Sequence, residues 1–298
     1  MMRRKIVKQG NSALTITLPS SWARRFNLKA GNELEVEEQE NFLKITTEKS
    51  GEKAIEINIS ELNDALVWTY IISAYRKGYD EIKIKFQKQQ IKLVQGVVDA
   101  LLGLAITEQK SDFCIIKDLS AFPSEKEFEN IKRRIFYLLE EIADSSLNAL
   151  IQKNKQELKN IEFQDYNINK FSNFCLRLIN KKNLSGTLEY IVSELENIGD
   201  EYTRLSIELA ESSSLSISKD ILSVFKEINL FFNEFHKFYY SFSNEKINEI
   251  VNMKNKINKK INSTKPKSQQ ETTLLFHLSK ILHLITNIGE RVIMMKLG

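Results

Sequence analysis

The sequence predicts a mainly α-helical protein that carries a small β domain at its N-terminus. Apolar and polar residues alternate within the first fifty residues, which is the period of a half-buried strand. Beyond residue 124 the apolar residues recur instead at helical spacing. The chain has only three prolines, each at a break between patterns, which leaves room for long helices: Pro19, Pro123 and Pro266.

The 298 residues of the chain are too many for one ordinary compact domain. The changes of pattern predict a β domain at 1–50, an α/β connecting segment at 51–123 and a helical domain at 124–298. Hydrophobic residues make up 42% of the sequence, which is enough for a buried core. No apolar run approaches the roughly 18 residues of a membrane-spanning helix, and the basic N-terminus lacks the apolar stretch of a signal peptide. We therefore expect a cytoplasmic protein without a membrane span.

The few cysteines and histidines argue against a metal or catalytic centre built on them. Cys114 and Cys175 stand far apart, without metal-ligand spacing, and are predicted to be buried thiols. Of the three histidines, His277 and His283 are six residues apart and do not share a helical face.

The first fifty residues are predicted to form four strands and one short helix. Ser12–Leu18 alternates with its leucines and Ile16 on one face, and Pro19 ends that strand. A short helical turn follows from Ser20 through Phe26, and Gly31-Asn32 is a turn. Strands at 33–38 and 42–47 complete the domain. About 45 residues cannot bury enough surface alone, so we expect this domain to dimerise.

Charge is unevenly distributed along the N-terminal domain. Residues 1–29 contain seven cationic residues and no acidic residue, whereas 33–40 contains five glutamates. Such a cationic surface, doubled in a dimer, binds DNA phosphates with release of counterions. Gln9 and Asn11 flank Gly10 and are placed to approach base edges or the backbone. The alternative is a basic face that is simply solvated.

The same region resembles the SpoVT/AbrB family. The family pattern is a strand, a glycine, an alternating strand that ends in Leu-Pro or Ile-Pro, a short helix, then Leu-x-x-Gly-Asp and another strand. Here these elements are Gly10, Leu18-Pro19, Leu28–Asn32 and Glu33–Val36, with Asn32 in place of the commoner Asp. The resemblance covers residues 3–48 and implies a swapped-hairpin β-barrel dimer that binds DNA. Asn11 is included because it lies beside Gly10. The predicted DNA-binding residues are therefore Arg3, Arg4, Lys5, Lys8, Asn11, Arg24 and Arg25.

The connecting segment is predicted to be a small α/β module. Ser60 is the expected N-cap of a helix from Glu61 to Lys77, which Gly78 ends. A strand at 81–86 and a helix at 91–102 follow. Two further short strands are expected at 105–107 and 113–116.

The remainder is predicted to form six helices arranged as two repeats. Ser124 begins a capping box, and the helices are expected at 125–153, 155–182, 186–213, 217–242, 244–263 and 270–297. Asn197-Ile198-Gly199-Asp200 recurs as Asn287-Ile288-Gly289-Glu290, ninety residues later and again near the end of a helix. Two three-helix units, at about 124–213 and 214–298, are the simplest explanation. The aromatic run that includes Phe231, Phe235 and Phe238 is interpreted as bundle core.

The segment Leu195–Tyr202 resembles the signature of the PhoU family, in which Leu-Glu-Arg-Ile-Gly-Asp closes each three-helix repeat. PhoU-like proteins pair two such bundles, sense phosphate status through partners and can hold metal ions on Glu-x-x-x-Asp carboxylates. An archaeal-type phosphate uptake regulator joins an AbrB-like head to such a body through a segment similar to 54–118. The resemblance implies a divalent or iron-type metal ion, for which the candidate ligands are Glu196, Asp200, Glu290, Asp144 and Glu234.

The residues alone do not decide whether a metal ion is bound. Glu196 and Asp200 are four apart and share a helical face that is able to chelate a cation. Arg204 lies one turn further on and is placed to pair with Asp200 instead, and Thr286 stands where the second repeat needs Glu. Asp144 and Glu234 are related by the ninety-residue offset. The alternative is a solvated or salt-bridged acidic face.

The sequence leaves three functions to be compared. The first is a DNA-binding transcriptional regulator, homodimeric through the N-terminal domain, that responds to phosphate status. The second is a protein-interaction regulator of a phosphate transporter or sensor kinase, in which the head mainly dimerises. The third, an enzyme, is disfavoured because the sequence has no nucleophile–base set, phosphate-binding glycine loop or histidine cluster.

Overall fold

A computed structural model describes residues 3–10, 13–39, 42–47, 53–120, 125–212 and 214–297 of the chain. The chain divides into two compact units, Met1–Lys53 and Ala54–Gly298. The predicted fold class is confirmed, since a small strand domain precedes a largely helical body.

The N-terminal unit consists of two antiparallel hairpins and a short helix. Strand β1 (Ile6–Gln9) pairs with β2 (Ala13–Ile16), and β3 (Leu34–Gln39) pairs with β4 (Phe42–Thr47). Helix α1 (Ser20–Arg25) lies between the hairpins in sequence. Gly31 has a φ of 91°, and the Asn32 carboxamide accepts a hydrogen bond from the Lys29 N–H at 2.7 Å. Asn32 therefore closes the turn in the way an aspartate would.

The apolar side chains of this unit lack a core within one chain. Among its described side chains none is buried, and Ile6, Leu14 and Ile16 are 67%, 69% and 54% exposed. The alternation placed Leu14 and Ile16 on one face of their strand, and in a single chain this face is exposed. Val36 and Leu43 in the second hairpin are similarly exposed.

The second unit begins with a four-stranded sheet. Its strands are β5 (Ala54–Asn58), β6 (Glu81–Lys85), β7 (Leu104–Gln109) and β8 (Phe113–Asp118), in the order β5-β6-β8-β7. Strands β5 and β6 are parallel, and the other neighbours are antiparallel. Helices α2 (Asp64–Arg76) and α3 (Ile91–Asp99) and a 3₁₀ turn at Lys88–Gln90 complete the module.

The start of α2 corrects the sequence-based prediction. Asn63 is the N-cap, because its side-chain oxygen accepts from the Leu66 N–H at 3.0 Å. Ser60, the predicted cap, lies in a turn in which its own N–H donates to the Asn58 side chain. The helix therefore begins three residues later than predicted.

Six long helices follow, and their predicted order is confirmed. They are α4 (Glu125–Ile151), α5 (Lys155–Lys182), α6 (Gly186–Glu211), α7 (Lys219–Tyr240), α8 (Asn244–Ser263) and α9 (Gln269–Leu297). Asn154, Ser185 and Ser243 cap three of them through side-chain oxygens. Ser124, the predicted cap of α4, lies outside the described residues. None of the helices in the described ranges is long and apolar enough to cross a membrane.

The α/β module and the helices share one hydrophobic core. A buried arginine joins them: Arg177 of α5 is 1% exposed and donates to the carbonyl oxygens of Tyr75 and Tyr79 and to the Asp118 carboxylate. Lys181, one turn later, pairs with both Asp80 and Asp118. A buried charge is tolerated when it is paired and hydrogen-bonded in this way. The connecting segment is thus fixed to the first helical repeat.

The two repeats also pack against each other, α4 on α7 and α6 on α9. The Asn229 side chain of α7 donates to the Ala143 carbonyl oxygen of α4 and accepts from the Tyr202 hydroxyl of α6. The predicted core phenylalanines, Phe231, Phe235 and Phe238, are buried at this junction or beside it. The two cysteines are buried free thiols, as predicted.

Candidate functional site

Four cationic residues near the start of the N-terminal unit lie on its surface, without acidic partners in the described part of the chain. Arg3, Arg4, Lys5 and Lys8 are exposed on the segment that leads into and through β1. Within the described ranges none of them is hydrogen-bonded or ion-paired to a carboxylate. Their charges therefore remain available to an anionic partner.

A second pair of cations ends helix α1. Arg24 and Arg25 occupy its last turn, where positive charge favours the carbonyl end of a helix. Both are exposed, and the Arg25 guanidinium lies 5.9 Å from the centre of the Phe26 ring. Trp22 packs on the same ring at 5.5 Å and fixes this end of the helix. The helix thus presents two adjacent guanidinium groups to solvent.

The glutamates that follow in sequence belong to the other hairpin. Glu35 is exposed on β3, opposite Thr46 of β4. This hairpin and the β1–β2 hairpin are separate two-stranded sheets in the single chain. Asn11, the remaining predicted DNA-binding residue, and Glu40 lie outside the described residues.

Comparison with known proteins adds one finding to this geometry. Residues 7–53 match the protein family described as "Antidote-toxin recognition MazE, bacterial antitoxin". Over this stretch the N-terminal domain is similar to that family. This supports the AbrB-like part of the predicted resemblance, and the match ends before the α/β module begins. No curated protein matches the chain.

The helical body contains a group of carboxylates around the segment Leu195–Tyr202, where the resemblance to PhoU predicted them. Glu196 of α6 pairs with Arg76 of α2, whose guanidinium nitrogen lies 2.8 and 3.0 Å from the two carboxylate oxygens. The same guanidinium also donates to the Asn173 side chain at 2.6 Å. Asp200 pairs with Arg204 at 3.0 Å, as its spacing predicted. Burial raises the pKa of both carboxyl groups.

A third carboxylate, Asp165 of α5, completes this group. It is 6% exposed, and its Oδ2 accepts from the Asn169 side chain at 3.0 Å. Its Oδ1 is buried without a hydrogen-bond partner in the described part of the chain. Burial first, and then the charges of Asp200 and Glu196, raise the pKa of Asp165 to about 7. The Asp165 carboxyl group therefore keeps its proton up to about pH 7.

The arrangement is compensated by arginines and does not fit a resident metal ion. Arg76 occupies both oxygens of Glu196, and Arg204 neutralises Asp200. Over the described ranges, no three His, Cys, Asp or Glu side chains are grouped so that they would hold a metal. The metal implied by the resemblance stays a prediction.

The other predicted ligands lie apart from this group. Asp144 of α4 contacts the Asn229 side chain at 3.4 Å, and Glu234 of α7 pairs with Lys237 on the surface. Glu290 of α9 lies beside an apolar cavity in the second repeat. The ninety-residue offset that related Asp144 to Glu234 therefore does not bring them into one site.

Sequence reasoning missed residues that only the tertiary fold brings together. Arg76 lies 120 positions from Glu196, and no local pattern signals their contact. The same holds for His277, whose Nδ1 lies 2.6 Å from Glu201, and for His236, 2.8 Å from Glu140. Each of these histidines joins one repeat to the other.

Proposed function

We propose that this chain is a homodimeric, DNA-binding transcriptional regulator whose helical body responds to phosphate status. The observation that carries the proposal is the set of exposed cationic side chains on the first 29 residues, which contain no acidic residue, in an N-terminal unit similar to a MazE antitoxin domain. Binding of such a surface to a duplex releases counterions, which gives affinity that falls steeply with salt.

Dimerisation is part of the proposal because it supplies both a core and a larger cationic face. The exposed apolar strand residues of one unit need a covering layer, and a second copy offers the same residues in return. Two copies also double the number of arginines and lysines that a duplex meets.

The response to phosphate rests on the second resemblance alone. It is supported by two three-helix repeats that each carry an Asn-Ile-Gly-acid motif within the third helix. The proposal includes no catalytic step, and the buried histidines His236 and His277 each bond to a glutamate rather than to a nucleophile.

The DNA-binding part is tested by removing the two arginines of α1. We expect the R24A/R25A variant of the full chain to bind a duplex at least about tenfold more weakly, with a salt slope reduced by up to about four per dimer. Fluorescence anisotropy over a range of salt concentrations measures both quantities. The matched control is K256A/K259A, which removes two exposed charges from α8. Unchanged affinity and slope in R24A/R25A would contradict the assigned surface.

The phosphate part is tested separately, by genome-wide footprinting in cells grown with high and low phosphate. Occupancy that changes with phosphate supports it. Unchanged occupancy by a protein that still binds DNA removes the phosphate response and leaves the DNA-binding proposal standing.

A second candidate is the protein-interaction regulator of a transporter or kinase. The observation that favours it is the family name itself, which describes recognition of a toxin protein. Full-length protein without salt-sensitive DNA affinity would favour this candidate.

A further inference from the structure

Helices α7, α8 and α9 of the second repeat enclose an apolar cavity of about 140 Å³. Its walls include Phe231 and Phe235 of α7, Ile250 of α8, and Ile285 and Ile293 of α9. Phe231, Phe235 and Ile285 are fully buried, whereas Ile250 and Ile293 are half-buried at the open side. A volume of about this size is large enough to hold a benzene ring.

The first repeat shows why the cavity exists. A methyl group on Gly199 of α6 would lie 2.6 Å from Asp165 and 3.2 Å from Ile168, both on α5. At Gly289, the equivalent position of α9, the nearest described atom from another helix belongs to Phe235 of α7, 3.4 Å away. Helix α8 thus stands away from α9 where α5 touches α6, and the space between them is the cavity.

The repeat comparison also shows a change in chemistry. Glu196 and Thr203 of α6 correspond to Thr286 and Ile293 of α9, whereas Asp200 corresponds to Glu290. The second repeat therefore keeps one acidic residue on this face and gains an apolar one beside the cavity.

Two opposite charges border the cavity and do not neutralise each other. Lys254 of α8 and Glu290 of α9 both line it. Within the described ranges neither makes a hydrogen bond or an ion pair. Most other charged side chains near the helix contacts are paired, as Lys260 is with Glu227 and Lys280 with Glu201.

We propose that this cavity binds a free α-amino acid with a large apolar side chain. The side chain fills the Phe–Ile cavity, the α-carboxylate meets Lys254 and the α-ammonium group meets Glu290. A neutral apolar molecule would leave both charges unmatched. A simple carboxylate would pair with Lys254 but leave Glu290 facing a like charge, and a simple amine would pair with Glu290 but leave Lys254 facing a like charge. The ligand would act as an effector of the helical body, whether or not the chain binds DNA.

The proposal is tested by calorimetric titration of the full-length protein with L-phenylalanine and L-leucine. We expect a dissociation constant below about 1 mM for at least one of them. Glycine, which lacks the apolar group, should not bind. The analogues 3-phenylpropionate and 2-phenylethylamine, each with one charge, should bind about tenfold more weakly.

Variants separate the contributions of the cavity and the charges. K254Q should weaken phenylalanine binding but not 2-phenylethylamine binding, and E290Q should weaken phenylalanine binding but not 3-phenylpropionate binding, since each change removes a like charge from the analogue. I250F and I293F fill the cavity from different helices, and each should abolish binding while the circular dichroism spectrum is kept. K256Q, an exposed lysine on the same helix, is the matched control.

Three outcomes overturn the proposal. The first is the absence of binding heat for both amino acids in the folded parent protein. The second is toluene binding as tightly as phenylalanine, which would make the site a purely apolar one. The third is undiminished phenylalanine binding in both I250F and I293F, which would place the ligand elsewhere.

Discussion

Buried charges in the helical body are neutralised mainly by residues from another element. Arg177 meets Asp118, Glu196 meets Arg76, and Glu201 accepts from both His277 and Lys280. Asp165 is different, because its nearest charges are carboxylates and one of its oxygens has no partner in the described part of the chain. This side chain, beside Glu196 and Asp200 whose pKa values are also raised, is therefore predicted to make folding stability depend on pH.

The expected pH dependence follows from the raised pKa of Asp165, about 7 in the folded protein against 3.8 ordinarily. Between these values the folded protein binds the proton more tightly than the unfolded chain. The free energy of unfolding should therefore fall as the pH rises from about 4 to about 7 and then stay level. We expect D165N to lose this fall and to be more stable than the parent above pH 7, by about 1–4 kcal/mol.

Urea denaturation at a series of pH values measures this effect. D112N, which neutralises an exposed carboxylate in the β7–β8 turn, is the control. Parallel pH profiles for D165N and the parent protein would show that the aspartate does not titrate in this range.

For single residues, the sequence predicts contacts between neighbours in the chain and misses contacts between residues that are distant in the chain. The Asp200–Arg204 pair was predictable, because four residues span one helical turn. The Arg76–Glu196 pair was not, since it depends on how α2 packs against the first repeat. The acid-free first 29 residues identified the cationic surface, because exposure of such side chains needs no tertiary information.

Helices and strands were more predictable than their contacts. Capping residues and periodicity gave the six long helices to within about two residues at each end, because a cap acts over one turn. The start of α2 was wrong because three polar residues, Asn58, Ser60 and Asn63, compete as local hydrogen-bond partners there. The spacing between helices α8 and α9, which opens the cavity, could not be predicted because no short sequence pattern determines it.

The two equivalent glycines offer a test of helix spacing. We expect G199A to destabilise the protein by about 1–3 kcal/mol, because the added methyl group would overlap Asp165 and crowd Ile168. G289A should change stability by no more than about 1 kcal/mol, since 3.4 Å from Phe235 is near ordinary contact and alanine favours a helix. Thermal denaturation of the two variants makes the comparison, and an equal loss in both would mean that α8 and α9 are as close as α5 and α6.

For the whole molecule, the fold class and the need for a partner followed from length and pattern. A 45-residue strand domain was too small to cover its own apolar face, and the exposed Leu14 and Ile16 agree with that estimate. The attachment of the α/β module to α5 was not predictable, since Arg177 and Asp118 lie 59 residues apart.

Oligomeric state should therefore depend on the strand residues of the head. We expect the parent protein to be a dimer in light scattering and the L14E/I16E variant to be a monomer with an intact helical body. Glutamates at these positions cost little in a single chain, where both side chains already meet water, but would be buried in a dimer. L230E, at a 49% exposed leucine of α7, is the control. A dimeric L14E/I16E protein would mean that another surface joins the copies.

The two histidine–glutamate contacts have a consequence for how far the two halves of the helical body depend on each other. Glu201 of the first half is 1% exposed and pairs with His277 and Lys280 of the second half as well as with Arg204 of its own helix. His236 of the second half bonds to Glu140 of the first. A first half produced without the second would therefore lose two partners of a buried carboxylate and keep Arg204.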